Sequence, residues 1–228
     1  MSEPKLLLAI DTCGPAGSVA LGRMDGDAVE ILGQIELEGR SYSATLVAAV
    51  GELLAQAGTK LSLLHAMVAV NGPGSFTGVR VGLSAIKGLA EAARIPVVAV
   101  SRLEVLAAKA GAPSAALDAH RQEAFLRLGC SGTQARELLA GAHEFAAIVP
   151  VGAQVAVCDD AAAALLAAAS PTTELVRVLA PTAADALKLC APRVAAKEFV
   201  DLALLDGHYL RRSDAEIFGE PAARPQPA

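Results

Sequence analysis

Two short stretches of this 228-residue sequence carry residue types that chemistry on a phosphate or a metal would need. The first is Asp11-Thr12, a carboxylate and a hydroxyl at the end of the apolar run Leu6 to Ile10, followed by Gly14, Pro15 and Gly17. A carboxylate at a strand's C-terminal end can hold a hydrated Mg²⁺, and small residues let backbone N–H groups approach a phosphate. The same residues also read as an aspartate capping a tight turn. The second is Asn71-Gly72-Pro73-Gly74-Ser75-Phe76-Thr77-Gly78-Val79-Arg80. It leaves a buried strand and enters a helix, with Ser75 or Thr77 as N-cap. Glycines at a positive helix end make a reasonable anion site. The block is neither a Walker loop nor Gly-x-Gly-x-x-Gly.

Other features compete with that chemistry. Gly74, Gly78 and Gly82 recur every four residues, with Ala85 and Gly88 on neighbouring positions. A glycine inside a helix costs about 1 kcal/mol relative to alanine. The stripe therefore implies a close approach, either by the helix expected over 42–57 or by another subunit. Val79, Leu83, Ile86 and Leu89 form a separate apolar stripe for the chain's own core. Asp118-Ala119-His120-Arg121-Gln122-Glu123 reads either as a salt-bridged turn or as a loop facing a ligand or partner. Arg40-Ser41-Tyr42-Ser43 opens the first long helix, with Ser41 or Ser43 as N-cap.

Several classes are excluded. His65, His120, His143 and His208 never fall four apart, and Cys13, Cys130, Cys158 and Cys190 contain no Cys-x-x-Cys pair, so no metal site is expected. The cysteines are expected to be reduced core thiols. No Ser/His/Asp or Cys/His set has the spacing of a nucleophile motif. The net charge of −5 and the absence of a basic cluster longer than Arg211-Arg212 disfavour unaided RNA binding. No apolar run reaches the roughly 18 residues of a membrane span. The first residues do not read as a signal peptide, so a cytoplasmic location is expected.

Periodicity supplies the frame. Strands are expected at 6–10, 18–21 and 29–37, with a hairpin at Asp25-Gly26. A helix follows over 42–57, closed by Gly58, then a strand at 66–71, a helix over 75–93, a strand at 96–100 and a helix over 102–110. The first half thus reads βββαβαβα, a mixed sheet with helices packed on it. After Gly111-Ala112-Pro113, strands are expected at 114–118, 124–128, 154–158 and 175–179, with helices over 160–169 and 185–196. The expected lobes are 1–110 and 111–218, with a disordered tail at 219–228.

The opening Leu-Ala-Ile-Asp11-Thr12-Cys13, the Asn71 to Gly88 block, Leu-Asp118-Ala-His-Arg-Gln-Glu123 and the closing His208-Tyr209-Leu210-Arg211 resemble the bacterial TsaB (YeaZ) family. The resemblance implies an actin-like ATPase-domain fold (the sugar kinase, Hsp70 and actin architecture) with two related lobes, the second degenerate. It implies a non-catalytic scaffold subunit that pairs with the catalytic paralogue TsaD and assembles with the ATPase TsaE. That complex transfers threonylcarbamoyl to N6 of adenosine 37 in tRNAs that read ANN codons, so tRNA would be met only through the complex. Under it, Arg40, Tyr42, Leu46, Gly74, Phe76, Gly78, Gly82 and Lys87 are expected at the partner interface. Asp11, Thr12, Asp118 and Arg121 are the candidate nucleotide-facing residues. No tightly bound cofactor is implied, with ATP or ADP at the complex interface, and homodimerisation is expected when TsaD is absent. The other reading is an independent ATP-dependent enzyme of the same fold. The chain departs from the family's Arg-x-His-Ser-Glu at Arg40-Ser41-Tyr42-Ser43-Ala44, and has Cys158-Asp159-Asp160 where relatives carry a glycine-rich turn.

Overall fold

The computed structural model describes residues 5–39, 41–129 and 135–211. Strands β1 (Lys5–Asp11), β2 (Ala16–Asp25) and β3 (Ala28–Glu38) form an antiparallel meander, followed by helix α1 (Tyr42–Gln56), β4 (Leu64–Val70), α2 (Phe76–Ala93), β5 (Val97–Val100) and α3 (Arg102–Ala110). The same order then repeats: β6 (Ser114–Asp118), β7 (Glu123–Leu128), β8 (Arg136–Gly141), α4 (Ala142–Ile148), β9 (Gln154–Val157), α5 (Asp160–Ala169), β10 (Glu174–Arg177) and α6 (Ala183–Ala195).

Each half builds a five-stranded sheet, ordered β3-β2-β1-β4-β5 and β8-β7-β6-β9-β10. The third strand of the first sheet is unbroken apolar sequence because both of its edges and both of its faces are covered. It pairs antiparallel with β2 and parallel with β4. Edge strand β3 instead alternates between half-buried and exposed positions. Leu21 of β2 and Leu53 of α1 line one cavity on the same side of the sheet. Gly22, next to Leu21, borders Leu187 of α6. Adjacent strand residues point to opposite faces, so the α1–α2 pair and α6 cover opposite sides of the first sheet.

The lobes exchange their last helices. Leu103, Leu106 and Ala107 of α3 pack on Ala115, Leu117 and Phe125 of the second sheet. Ala183, Ala186, Leu187, Cys190 and Val194 of α6 join the core of the first. Their caps fit these positions: Ser101 accepts from Leu103 N–H, and Thr182 forms a capping box with Asp185. Ion pairs Lys109–Asp185 (2.8 Å) and Arg193–Glu104 link the exchanged helices. The sequence expectation drew the second lobe as 111–218; residues 183–195, inside that range, pack on the first sheet. The expected tail at 219–228 lies outside the described residues.

Beyond α6 the chain crosses back over the lobes. Val200 N–H donates to Val97 O (2.9 Å), His208 N–H to Asn71 O (2.7 Å), and Arg211 pairs with Glu123 of β7. Sequence patterning had no expectation for β8 or α4. Among the described residues no helix is long and apolar enough to cross a membrane.

Candidate functional site

The end of β1 meets the beginnings of α2 and α3, and the residues singled out from sequence converge there. Asp11 is 2% exposed. Its Oδ1 accepts the Cys13 N–H at 2.8 Å, and its Oδ2 lies 3.3 Å from Arg102 Nε. Arg102, the first residue of α3, is 5% exposed and donates its backbone N–H to Gly72 O at 2.6 Å. Burial works against the guanidinium's charge, but the Asp11 charge and hydrogen bond, together with Cys13 and Cys158, hold the Arg102 pKa above its ordinary value. This is a paired, desolvated charge couple. The carboxylate expected to face a nucleotide's metal is closed by the protein's own cation.

Thr12 is also spoken for. Its Oγ1 donates to Gly78 O at 2.7 Å, in the first turn of α2. A Cβ on Gly78 would overlap Thr12 O, one on Gly82 would overlap Thr12 Oγ1, and one on Gly74 would overlap Cys13 O. Gly78 and Gly82 of the stripe therefore face inward: they let α2 lie directly against the β1 turn, which was not among the surfaces considered from sequence. Ser75 is the N-cap, accepting from Gly78 N–H at 3.3 Å. These contacts correct the placing of Gly78 and Gly82 on a partner surface.

Tyr42 and Leu46 need the same correction. Tyr42 is 4% exposed, and its hydroxyl donates to Gly14 O at 2.8 Å. Burial first, then the nearby Asp11 charge, pushes its pKa up to about 12. It props the 14–17 turn from beneath. Leu46 is 1% exposed, in the same core. Ser41 sits at the N-cap position of α1, but its hydroxyl donates to Glu38 O rather than capping. Arg40 lies outside the described residues. Cys13 is 1% exposed and its thiol donates to Val70 O at 3.3 Å. Burial and then Asp11 raise its pKa well above the ordinary value, so it is a neutral core donor.

The matching end of the second sheet is open. Asp118 N–H donates to Asp159 Oδ2 (3.2 Å), while its carboxylate accepts His120 N–H (2.8 Å) and lies 2.8 Å from His120 Nδ1. His120, Arg121 and Gln122 all have positive φ, at 60°, 56° and 62°. Arg121 is exposed in this turn.

Two residues missed from sequence organise the junction between lobes: Arg102, and Glu137 on β8. Glu137 accepts from Ser101 Oγ (2.6 Å) and Arg127 (2.7 Å). His208 Nε2 lies 2.9 Å away, within ion-pair distance but outside hydrogen-bond alignment. Burial pushes the Glu137 pKa up, and these partners pull it further down, to below the ordinary value. Neither residue lies in a recognisable motif; only the helix start at Ser101-Arg102 hinted at one of them.

Of the expected partner residues, Phe76 and Lys87 remain half-buried at the surface of α2, with exposed Gly74 at its entrance. No group of three or more His, Cys, Asp or Glu residues able to hold a metal ion occurs among the described residues.

Comparison with known proteins gives a consistent set. The family model for TsaD, tRNA N6-adenosine threonylcarbamoyltransferase, matches residues 32–127. The Escherichia coli K12 tRNA threonylcarbamoyladenosine biosynthesis protein TsaB is 40% identical over 101 residues, covering 44% of this chain and 42% of that protein. Its Bacillus subtilis 168 counterpart is 36% identical over 126 residues, 54% of each. The chain spans about half the length of the curated relatives it matches. Among solved structures, an uncharacterised Pseudomonas aeruginosa protein described as similar to peptidase YEAZ is 30% identical with a TM-score of 0.75, covering 91% of this chain and all of that one (100%). Component A of Acidaminococcus fermentans (R)-2-hydroxyglutaryl-CoA dehydratase, 11% identical with a TM-score of 0.53 over 84% of this chain and 99% of that one, shares the fold. The duplicated unit with its exchanged helices is the actin-like ATPase-domain architecture.

Proposed function

Because this chain belongs to the TsaB (YeaZ) family, we propose that it acts in tRNA threonylcarbamoyladenosine synthesis as a non-catalytic subunit docking a TsaD-type partner on α1 and α2. The observation that carries this reading is a pair of glycines. Gly51 and Gly88 lie inside α1 and α2, are exposed, and a Cβ on either would meet nothing within 4 Å. A helix-interior glycine costs about 1 kcal/mol relative to alanine. Gly78 and Gly82 are repaid within the chain by the β1 turn; Gly51 and Gly88 are not. Around them the outward faces carry Ala44, Val47, Ala48 and Ser84, with Val47 59% exposed. Small outward residues let a second pair of helices approach closely.

The partner's role is then the chemistry, and this chain's role is to order it. The Asp11–Arg102 pair supports that division, since a cation already neutralises the carboxylate that a nucleotide's Mg²⁺ would need. A TsaE-type ATPase joins the assembly, tRNA is met through the complex, and ATP or ADP acts at the joint surface. When the partner is absent, the same face pairs two copies of this chain.

Light scattering after size-exclusion chromatography tests the reading, with the chain alone and mixed with the TsaD-type protein of the same cell, with and without ATP. The expected result is a one-to-one complex. Gly51→Leu combined with Gly88→Leu should abolish it while leaving the monomer's melting temperature within a few degrees. Absence of a complex under every nucleotide condition, or a complex indifferent to both leucines, overturns it. Micromolar ATP binding and turnover by the isolated chain would instead favour an independent enzyme.

A further inference from the structure

Along α2, the helix and the segment after α6 enclose a cavity of about 260 Å³. Phe76, Arg80, Ser84 and Lys87 line it from α2, at spacings that place them along one side of the helix. Asp206 and Tyr209 close the other wall. The Arg80 guanidinium stacks 3.7 Å from the centroid of the Phe76 ring and 6.0 Å from that of Tyr209; the two rings are 5.1 Å apart, tilted by 46°. Gly207 fixes the tyrosine, for a Cβ there would overlap its ring.

A guanidinium laid on a ring uses its face and leaves its in-plane fork of N–H donors unspent. Neither Arg80 nor Lys87 has an ion-pair partner among the described residues. Seven helical residues separate them, about 10 Å along the axis. Asp206 is the acid on the rim, and one of its oxygens accepts the Gly207 N–H at 2.7 Å. Two unmatched cations over an aromatic floor, on a chain of net charge −5, make a local anion receptor. Its size decides what enters. Small-molecule sites run from about 300 to 1,000 Å³, so the cavity holds a carboxylate-bearing side chain better than a nucleotide.

We propose that this cavity receives an aspartate or glutamate side chain of the protein docked on α2, gripped through both oxygens by Arg80 and steered by Lys87. It rests on the partner-subunit reading and adds the chemistry of one contact to it. Arg and Tyr are the residue types that anchor interfaces most often, and a bidentate arginine–carboxylate pair is among the stronger polar contacts.

Two arms of one experiment separate this inference from the reading beneath it. In the first, the TsaD-type protein is titrated calorimetrically into the full chain at about 50 and 300 mM salt. Arg80→Gln should weaken binding at least tenfold and flatten its salt dependence, Arg80→Lys should lose a few-fold, and Asp206→Asn should tighten it. Unchanged affinity in Arg80→Gln, with the melting temperature preserved, overturns the proposal. In the second arm a short glutamate-rich peptide is added to the chain alone while tyrosine emission is followed. The sequence has two tyrosines and no tryptophan, and Tyr42 is buried elsewhere, so the signal reports Tyr209. A saturable change in the wild type, lost in Arg80→Gln, supports the proposal even if the TsaD-type protein fails to bind and the subunit reading falls. No change overturns it, as does a tighter response to inorganic phosphate or an RNA oligonucleotide than to the peptide.

Discussion

The two lobes solve one problem in different ways. In each, the central strand ends beside the start of a helix that follows the fourth strand. In the first lobe the gap is closed by removing side chains: Gly78 and Gly82 bring α2 onto Thr12, whose hydroxyl bonds the Gly78 carbonyl. In the second a side chain bridges it. Asp159 caps α5 through Ala162 N–H (2.7 Å) and reaches Asp118 N–H with its other oxygen. Backbone against backbone excludes water and buries Asp11 with Arg102. A bridging carboxylate leaves the second junction half-open, with its histidine side chain 83% exposed. The shared topology therefore fixes neither burial nor electrostatics; the residues at the strand end do.

The comparison breaks most visibly at Gly82. Gly82→Leu drives a branched side chain into the buried Thr12 hydroxyl; overpacking of this kind costs about 1–3 kcal/mol, and the Thr12–Gly78 hydrogen bond is lost besides. The variant should lose at least about 3 kcal/mol in urea unfolding, and a native-like midpoint would mean that α2 can move off the β1 turn freely. Next comes Arg102→Met, which leaves Asp11 buried without its cation and should cost about 3–5 kcal/mol. Adding Asp11→Asn should recover most of that loss; no recovery in the double variant would show that the arginine's packing matters rather than its charge. The smallest effect belongs to the second lobe. Asp118→Asn disturbs an exposed turn and should change stability by no more than about 0.5 kcal/mol. A larger loss in the same unfolding assay would show that the second junction is as tightly coupled as the first.

Much of the frame is legible in the sequence because its elements are locally consistent. The apolar β1, the Asp25-Gly26 turn, the periodic α1 and the capped, periodic α2 all fall near their expected bounds. Strand β8 was missed because Arg-Glu-Leu-Leu-Ala-Gly is made of helix formers and becomes a strand only by pairing with β7. Its loss from the expectation also hid the full repeat of the first lobe in the second. The left-handed run at 120–122 contains no glycine or asparagine to announce it. The site was legible as a set of places but not as a set of roles. Nothing local reveals that Arg102, 91 residues away, neutralises Asp11, or that helix glycines at 78 and 82 face inward while those at 51 and 88 face out.

The exchange of α3 and α6 has a consequence for synthesis. When the ribosome has made β1 to β5, one side of the first sheet has no cover, because α6 has yet to be translated. Roughly 90 further residues must emerge before Leu187, Cys190 and Val194 can settle on β1 and β2, about 5–20 s at ordinary elongation rates. During that interval Leu7, Leu8 or their neighbours on the bare side stand open to water and to other nascent chains. The first lobe, which carries the proposed docking face, is thus the first to be made and cannot be the first to be finished.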